Sequence, residues 1–444
     1  MNPAPLEARS RRHLYVLLVV ACVIRIATML HFHTYSGAGP EAWGFETGMI
    51  SKSLAEGHGF ASPFGGNTGP TAWFPPLHPA IQALIFKIFG IQSTASAVVM
   101  RLFDVACTLG ALLFLFRICR RLWGEEFAFL ATWAWALYPR AIWFDVTLIS
   151  YAVLSVLLLL AALDLALSFE SSNTLDWVRQ GVLWGMIALA NPSLLSLLPI
   201  CWLATALRTG FGKKELRGFA ISALLSVALV LPWSVRNYVT FHAWIPVRGN
   251  MGHELYKGNR YGATGDQDYA LNPWNNPAEL REYIRLGERG YVIEHKRLAM
   301  QFIHQNPAGA FRLFRRRIFL FWDLSHPPMT FGVNENLNGS LYFWVGILGL
   351  VGLAVAFFIE RKQRGMFSKQ AGWYRVVPQH RTTWLFAAVV LVYPLPYYIT
   401  FPLDRYRLII EPILLIYALH LLTGFRAFRT QPAGDSAAQV IHAV

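Results

Sequence analysis

The stretch EAWGFETGMISKSLAEGHGFASPFGGNTGPTAWFPPLHPAIQALIFKIFG, residues 41–90, decides how the rest of the chain is organised. It lies between the first two long apolar runs and carries three carboxylates, Glu41, Glu46 and Glu56, among many aromatic side chains. After Pro75-Pro76 it continues into a short apolar run, 77–90. Acidic and aromatic residues concentrated in a connector indicate a loop with a function rather than a simple turn.

The composition indicates a polytopic membrane protein. The 444 residues are 55% hydrophobic and only 14% charged, whereas soluble domains are about a quarter charged. The net charge of +14 comes with basic residues clustered in short loops beside apolar runs, the pattern of cytoplasmic loops. These clusters favour membrane lipids or lipid phosphates as partners. The sequence has no nucleic-acid-binding motif, and we expect no such partner.

Neither the cysteines nor the N-terminal segment predicts a disulfide, a metal site or a cleaved signal peptide. All four cysteines lie in or at the ends of apolar runs without CxxC spacing, so we interpret them as small core residues. The N-terminal basic and apolar segment lacks a small-residue cleavage site, and Arg25 interrupts it. We therefore expect a retained first span rather than a signal peptide.

Membrane spans follow from run length, since a helix needs about 20 apolar residues to cross a bilayer. Placing every basic cluster in the cytoplasm makes 77–90 a short helix at the outer interface. It also makes 178–208 two crossings hinged near Asn191-Pro192. The sequence thus predicts about ten transmembrane helices with both termini cytoplasmic, the other eight being 13–31, 95–118, 126–144, 147–168, 216–238, 340–360, 383–401 and 406–425.

The predicted fold class is an all-α polytopic membrane protein with a mostly helical outer-face loop domain. We divide it into an N-terminal membrane module (1–238) with a first outer loop (32–94), an outer loop domain (239–338) and a C-terminal membrane module (339–444). The loop domain begins with a turn-rich, glycine-containing stretch and continues into helical patterns over 278–304 and 308–322.

The second of these patterns has two faces. Its apolar face would hold Phe311, Phe314, Ile318, Phe321 and Trp322, and its basic face Arg312, Arg315, Arg316 and Arg317. This pattern is typical of a helix at a membrane surface among phosphate headgroups. The alternative is a helix that simply leads into the next span.

Three carboxylates are candidates for catalysis. Glu46 lies on a helix-like run in the first outer loop, where a partly desolvated carboxylate could act as general base toward a hydroxyl. Glu41 is the second candidate for that role, and both could instead be solvated loop residues. Asp145 lies between the third and fourth spans. It could supply a second carboxylate or a metal ligand, or cap a helix beginning at Val146.

Four outer-face arginines are candidates for holding a phosphate leaving group, because guanidinium pairs bidentately with phosphate oxygens. They are Arg236, Arg248, Arg405 and Arg407. For Arg405 the alternative is a salt bridge with Asp404 or an interfacial anchor. His253-Glu254 does not form an HExxH site. We assign no metal site and no certain cofactor, and leave a divalent cation open.

With these residues in place, the chain resembles bacterial membrane glycosyltransferases of the dolichyl-phosphate-mannose protein mannosyltransferase type and the lipid A aminoarabinose transferases. The resemblance rests on a first span followed by an acidic outer loop, on SLAEGHGF…GPTAWFPPLHP…LIFKIFG, on PWSVRNY before the second outer loop, and on DRYR…EP at the last span. It implies the GT-C fold, an outer-face active site and a polyprenyl-phosphate sugar donor. It places the catalytic carboxylate at Glu46 and the second acidic position at Asp145.

The chain departs from that pattern at two positions. The usual Asp-Glu pair of the first loop is absent, which leaves Glu46 or Glu41 as the base. Phe74 stands where a lysine commonly precedes Pro-Pro, so the outer-face arginines would have to hold the donor phosphate instead.

The function that follows is transfer of a hexose or pentose from a polyprenyl-phosphate donor to an acceptor hydroxyl of a protein, lipid or glycan, with inversion, at the outer face of a bacterial inner membrane. Two alternatives stay open: a transporter or flippase of lipid-linked saccharides, and a non-catalytic glycosyltransferase-like scaffold. Asp104 and Asp164 would serve the transporter as a polar pathway, although Asp164 has basic neighbours to pair with.

Overall fold

The computed structural model describes residues 5–37, 40–147, 149–170, 173–322, 335–367 and 382–427. The regular elements in those ranges are helices, joined by turns and one isolated antiparallel bridge between Ala61 and Pro70. The α-helices, in chain order, are α1 (Ala8–His31), α2 (Glu46–Ala55), α3 (Leu77–Phe89), α4 (Thr94–Trp123), α5 (Glu125–Ala136), α6 (Pro139–Thr147), α7 (Tyr151–Ser168), α8 (Thr174–Ala190), α9 (Leu198–Thr209), α10 (Lys213–Phe241), α11 (Met251–Gly258), α12 (Pro277–Gln305), α13 (Pro307–Trp322), α14 (Glu335–Phe367), α15 (Thr383–Val392), α16 (Leu395–Ile399), α17 (Asp404–Leu408) and α18 (Glu411–Ala427).

Six helical segments of the described residues are long and apolar enough to cross a membrane. They are Ala8–His31, Thr94–Trp123, Tyr151–Ser168, Pro192–Thr209, Lys213–Phe241 and Leu341–Glu360. Shorter apolar helices cover Leu77–Phe89, Thr383–Ile399 and Glu411–Gly424. The short helix predicted at 77–90 and the break at Asn191 are both confirmed. The count of about ten spans stays a prediction.

Prolines divide two runs that the sequence presents as single spans. The run 126–144 forms α5 and α6, because Pro139 begins a new helix after the first has ended at Ala136. The run 406–425 divides between α17 and α18, with Pro412 in the first turn of the latter. Proline lacks an N–H and suits the first turn of a helix but not its interior. Each of these runs therefore forms two helices rather than one, and its crossing of the membrane stays a prediction.

The membrane-spanning core is built on close helix contacts. Helix α4 packs on α5 and α7, α14 packs on α18, and α8 packs on α10. At the last contact a Cβ added to Gly181 would lie 2.6 Å from the Ser222 carbonyl oxygen, so only glycine allows this approach. Lipid tails are as apolar as leucine, and close packing therefore stabilises such contacts more than burial from water does.

The two outer segments pack on each other. Glu288 of α12 accepts hydrogen bonds from the Thr71 hydroxyl and from the Ala72 N–H (2.6 Å). Arg236, near the end of α10, donates to the carbonyls of Thr71 (2.6 Å) and Phe60 (2.7 Å). Aromatic side chains of both segments fill the space between them: Phe64, Trp73, Tyr283 and Tyr291.

The helices of the second outer segment agree with the sequence only in part. The patterns over 278–304 and 308–322 correspond to α12 and α13, and α12 breaks at Gly287, where φ is +65°. The stretch predicted to be rich in turns also contains helix α11. In α13, Phe311 is exposed and Arg317 is buried, the reverse of the predicted faces. The domain boundaries at 238 and 338 stay predictions.

Candidate active site

Glu46 begins α2 and lies at the contact between the two outer segments. Its Oε1 accepts a hydrogen bond from Asn272 Nδ2 at 3.0 Å, and its side chain is half-buried. The Oδ1 atom of Asn272 accepts from the Trp274 N–H (3.0 Å), so the amide is held in a fixed orientation. At Gly44, with φ +81°, an added Cβ would lie 2.5 Å from the Ile149 carbonyl oxygen. This glycine therefore brings the start of α2 close to the chain that enters α7.

Glu41 contributes only backbone to what can be described. It lies in the 3-10 turn Pro40–Trp43, and its side chain is outside the described residues. The choice between Glu46 and Glu41 as base therefore stays a prediction.

Asp145 lies inside α6, where it pairs with Arg25 of α1 at 2.5 Å between Oδ2 and Nε. Arg25 also donates to the carbonyls of Ala21 (3.1 Å) and Ala136 (3.0 Å). Both charged side chains are buried. The alternative role of Asp145 as a helix cap is wrong, because α6 begins at Pro139, and Ser150 caps the next helix by accepting from the Ala152 N–H.

Arg25 is the partner that sequence reasoning missed, since it was noted only as a charge interrupting the first span. Its position in the middle of an apolar run is the signal, because a buried membrane arginine requires an acidic or carbonyl partner. Asp104 lies nearby, fully buried beside Arg101, which donates to the Thr147 carbonyl (2.7 Å). Asp164 pairs with Arg117 (3.0 Å) and Arg121, so the pairing expected for it is confirmed.

Arg248 and Arg405 lie within electrostatic range of the same two phenols. Burial lowers the pKa of Arg405, but the neighbouring phenols of Tyr406 and Tyr151 outweigh it, and the net shift is upward. Burial also lowers the pKa of Arg248. Glu254 and the same two phenols raise it by more, and the net shift is upward. The two guanidinium groups and the two phenols therefore lie within electrostatic range of one another.

Further contacts define this group. Arg248 Nε donates to the Trp73 carbonyl (3.0 Å), its Nη2 pairs with Glu254 (3.2 Å), and its guanidinium carbon lies 5.0 Å from the centre of the Phe74 ring. The Arg248 guanidinium therefore lies beside the Phe74 ring. The Nε atom of Arg405 is buried and has no hydrogen-bond partner among the described residues.

One short turn lies against Glu46 and within electrostatic range of Arg405. The 3-10 turn Tyr269–Leu271 is followed directly by Asn272, which binds Glu46. Burial raises the pKa of Tyr269, and nearby Arg405 lowers it. The turn therefore contacts the candidate base at one end and lies within electrostatic range of a candidate phosphate ligand at the other.

Arg236 and Arg407 are engaged elsewhere. Arg236 holds the first outer loop through the carbonyls of Phe60 and Thr71. Arg407 is buried, pairs with Glu411 (3.1 Å) and donates to the Tyr342 carbonyl (2.7 Å).

Arg407 also belongs to a compact stacked arrangement. The guanidinium carbons of Arg140 and Arg407 lie 3.6 and 3.7 Å from the centre of the Tyr342 ring. Two guanidinium groups cannot share one face of a ring at that distance, so they stack on opposite faces. Arg140 also pairs with Asp404 (2.8 Å), the residue that precedes Arg405. The arrangement therefore fixes α17, which carries Arg405.

Among the described side chains, no group of three His, Cys, Asp or Glu residues is close enough to hold a metal ion. The four cysteines are free, and three of them are buried. The question of a divalent cation stays open.

No protein-family model and no curated protein matches the sequence. Among solved structures, the chain is similar to the archaeal oligosaccharyltransferase AglB from Archaeoglobus fulgidus in complex with an inhibitory peptide and a dolichol-phosphate. The identity is 14% and the TM-score 0.50, over 98% of this chain and 54% of that one. For the apo form of the Archaeoglobus fulgidus oligosaccharyltransferase the identity is 13% and the TM-score 0.51, over 94% and 51% of the two chains.

A further similarity is to ArnT from Cupriavidus metallidurans bound to undecaprenyl phosphate. There the identity is 14% and the TM-score 0.39, over 91% of this chain and 77% of that one, and we base no argument on it. The chain spans about half the length of the oligosaccharyltransferase chains that it matches. At these sequence identities the similarity shows the fold and not the activity. The described residues form an all-helical, multi-pass membrane fold similar to that of the archaeal oligosaccharyltransferase AglB.

Proposed function

We propose that the chain is a membrane glycosyltransferase that moves a sugar from a polyprenyl-phosphate donor to an acceptor hydroxyl. The observation that supports this proposal is the turn 269–272, which binds Glu46 through Asn272 and has Tyr269 within electrostatic range of Arg405. Arg405 and Arg248 in turn lie within electrostatic range of the same two phenols, Tyr406 and Tyr151. Transfer from a lipid phosphate requires this combination of a base and cations that stabilise a leaving phosphate.

In the proposed reaction, Glu46 takes the proton of the acceptor hydroxyl as its oxygen attacks the anomeric carbon. The new bond forms between that oxygen and the carbon, and the bond between the carbon and the phosphate oxygen breaks. Polyprenyl phosphate leaves with the bonding electron pair, and Arg405 and Arg248 stabilise its charge. Attack from the opposite side predicts inversion at the anomeric carbon. Phosphate is already a good leaving group, so no general acid is needed.

The contacts of Glu46 suit this role. Asn272 occupies Oε1, and within the described part of the chain no hydrogen bond engages Oε2. One oxygen is therefore oriented by the protein while the other is left for the acceptor hydroxyl. A base must be within hydrogen-bond reach of the proton that it abstracts, and this arrangement leaves an oxygen for that contact.

We assign the remaining predicted residues to supporting roles. Asp145 neutralises Arg25 and fixes α6 against α1, since both partners are buried. Arg236 holds the first outer loop, and Arg407 fixes α17. The phosphate ligands in this proposal are Arg405 and Arg248, and the buried Nε atom of Arg405 has no hydrogen-bond partner among the described residues.

One observation favours the transporter as a second candidate. Both carboxylate oxygens of buried Asp104, and two of the three guanidinium nitrogens of Arg101, have no hydrogen-bond partner among the described residues. Unsatisfied buried charge is costly and often marks a polar pathway in a membrane protein. A transporter would bind the same lipid-linked sugar without forming a covalent product.

The test is sugar transfer by the full-length protein in nanodiscs, supplied with a panel of radiolabelled polyprenyl-phosphate sugars and candidate acceptors. Wild type is compared with Glu46→Gln and with Glu56→Gln, a control in the same loop whose partners are Lys52 and His58. We expect transfer by wild type and the control only. Equal transfer by Glu46→Gln would remove that residue from the role of base. Binding of donor without transfer would favour the transporter.

A further inference from the structure

Helix α13 carries an exposed stripe of mixed character. Phe311 and Phe319 are 61% and 67% exposed. Three arginines between them, Arg312, Arg315 and Arg316, are also exposed. At 100° per residue, these five positions share about 140° of the helix circumference. The stripe therefore presents two large apolar rings and three positive charges on one surface.

The three arginines of this stripe differ in their pairing from the exposed arginines of the preceding helix. In the described part of the chain, no ion pair or hydrogen bond joins any of the three guanidinium groups to a carboxylate. By contrast, exposed arginines of the preceding helix α12 are paired, Arg285 with Glu282 (2.5 Å) and Arg297 with Glu294 (2.7 Å). Exposed arginines next to exposed phenylalanines match a surface that is both anionic and apolar.

The opposite side of α13 fixes its position. Buried Arg317 donates to the carbonyls of Gly258 at the end of α11 and Ile399 (2.9 Å) at the end of α16. Trp322 Nε1 donates to the Tyr398 hydroxyl at 2.7 Å. Helix α13 is thereby attached to the last turn of the apolar segment formed by α15 and α16.

That last turn marks the membrane boundary. The segment Thr383–Ile399 is apolar, and its Leu391, Leu395 and Ile399 side chains are 68%, 45% and 45% exposed, as expected for contact with lipid. The first charged residues after this segment are Asp404 and Arg405. Trp and Tyr side chains such as Trp322 and Tyr398 are typical of this depth. Helix α13 therefore lies at the level of the headgroups.

We propose that the exposed stripe of α13 binds the headgroups of anionic phospholipids. The three arginines contact headgroup phosphates, and Phe311 and Phe319 insert below them into the acyl region. This inference does not depend on the proposed transfer reaction. It states which class of lipid α13 binds and gives the helix no role in the transfer reaction.

The first test measures lipid retention by native mass spectrometry of the full-length protein from mixed phosphatidylcholine and phosphatidylglycerol micelles. Wild type is compared with Arg312→Gln/Arg315→Gln/Arg316→Gln. A control with the same change of charge on α12 is Arg281→Gln/Arg285→Gln/Arg297→Gln. We expect wild type and control to retain phosphatidylglycerol preferentially and the α13 variant to retain about tenfold less. Equal retention of both lipids by wild type, or an unchanged α13 variant, would overturn the proposal.

The second test measures how deeply α13 lies in the membrane. Its result does not depend on the affinity for a particular lipid. A spin label on Phe319→Cys in nanodiscs should be accessible to oxygen but protected from a water-soluble nickel reagent. A label on Arg281→Cys of α12 should show the reverse. Full access of the nickel reagent at position 319 would refute membrane contact. Protection from both reagents would show that a second copy of the chain, and not lipid, covers the helix.

Discussion

At the scale of single residues, the candidate site depends on how each charge is partnered. Glu46 has one neutral donor, Asn272, whereas Asp145 is neutralised by a buried arginine. Arg405 has no ion pair with a carboxylate among the described residues, whereas Arg407 pairs with Glu411 and donates to the Tyr342 carbonyl. The sequence presents each pair as equivalent candidates, and the contacts separate them.

The first prediction concerns Asn272. Replacing it by Ala removes the hydrogen bond that orients the Glu46 carboxylate. A hydrogen bond to a charged group contributes about 1.5–3 kcal/mol, so we expect kcat to fall by about tenfold or more. The donor KM should stay unchanged, because Asn272 does not contact the arginine pair. The matched control is Asn275→Ala, an exposed amide whose Nδ2 donates to the Tyr269 carbonyl at 3.4 Å and makes no other side-chain hydrogen bond among the described residues. A shift confined to KM would contradict the assignment.

The second prediction concerns Arg405. Its replacement by Gln removes a positive charge from the proposed phosphate site, and we expect donor KM to rise by about tenfold or more. Lysine keeps the charge without the planar fork, and should restore part of the affinity. The measurement is a titration with radiolabelled donor, with the exposed Arg289→Gln as control. Unaltered donor affinity in Arg405→Gln would exclude it as a phosphate ligand.

At the scale of elements, two outer segments that are distant in sequence form one unit through a few buried polar contacts. Glu288 accepts from Thr71, Ala72 and Tyr283, and burial raises its pKa. Buried polar groups are stable only when every donor has an acceptor. The contact between segments therefore depends strongly on this one carboxylate.

The third prediction tests that contact. Glu288→Ala leaves buried donors of both outer segments unsatisfied, and we expect a loss of about 3–5 kcal/mol in the free energy of unfolding of this region. Hydrogen exchange should show faster opening of residues 60–74 and of α12, while α4 and α7 keep their protection. The control is Glu282→Ala on the same helix, whose exposed pair with Arg285 contributes little. Unchanged exchange in Glu288→Ala would contradict the role of this contact.

At the scale of the whole molecule, we expect the stability of the outer unit to depend on pH more than that of the membrane helices. The membrane helices are held by packing within lipid. The outer unit contains titratable groups, among them His253 and His295, whose Nδ1 atoms lie 2.9 Å apart. Lys257, Tyr291 and Glu279 surround the pair.

The fourth prediction follows from these histidines. Burial lowers the pKa of His295 to about 4 and that of His253 well below 6.5. The unfolded segment therefore binds protons below about 6.5 that the folded one does not, and stability present above that pH is lost as the pH falls toward 4. For His295 the loss is at most about 3 kcal/mol. Hydrogen exchange of α11 and α12 between pH 7 and 4 measures it.

The control for this prediction is His295→Gln, which should flatten the pH dependence. Comparison with wild type is needed because burial shifts the pKa of Glu288 upward. A raised carboxyl pKa has the opposite sign, since it stabilises the fold at low pH and this stability is lost as the pH rises through the shifted value. An unchanged slope in His295→Gln would show that other groups govern the response.

The sequence by itself determined the class of fold and the order of its parts. Apolar runs near 20 residues long, such as those of α4 and α10, fix membrane helices because backbone polar groups in lipid must be satisfied within the helix. The short helix at 77–90 and the break at Asn191 followed from length and proline. Glu46, Arg248 and Arg405 could be named as candidates because charged residues beside a bilayer are costly without a role.

Only the tertiary structure decided which of those charges meet. The partner of Asp145 is Arg25, 120 residues away, and the partner of Glu46 is Asn272, 226 residues away. The faces of α13 were also decided by packing, because the buried carbonyls at the ends of α11 and α16 hold Arg317. Helical periodicity records spacing along one helix, whereas the choice between a buried and an exposed arginine depends on acceptors supplied by other elements.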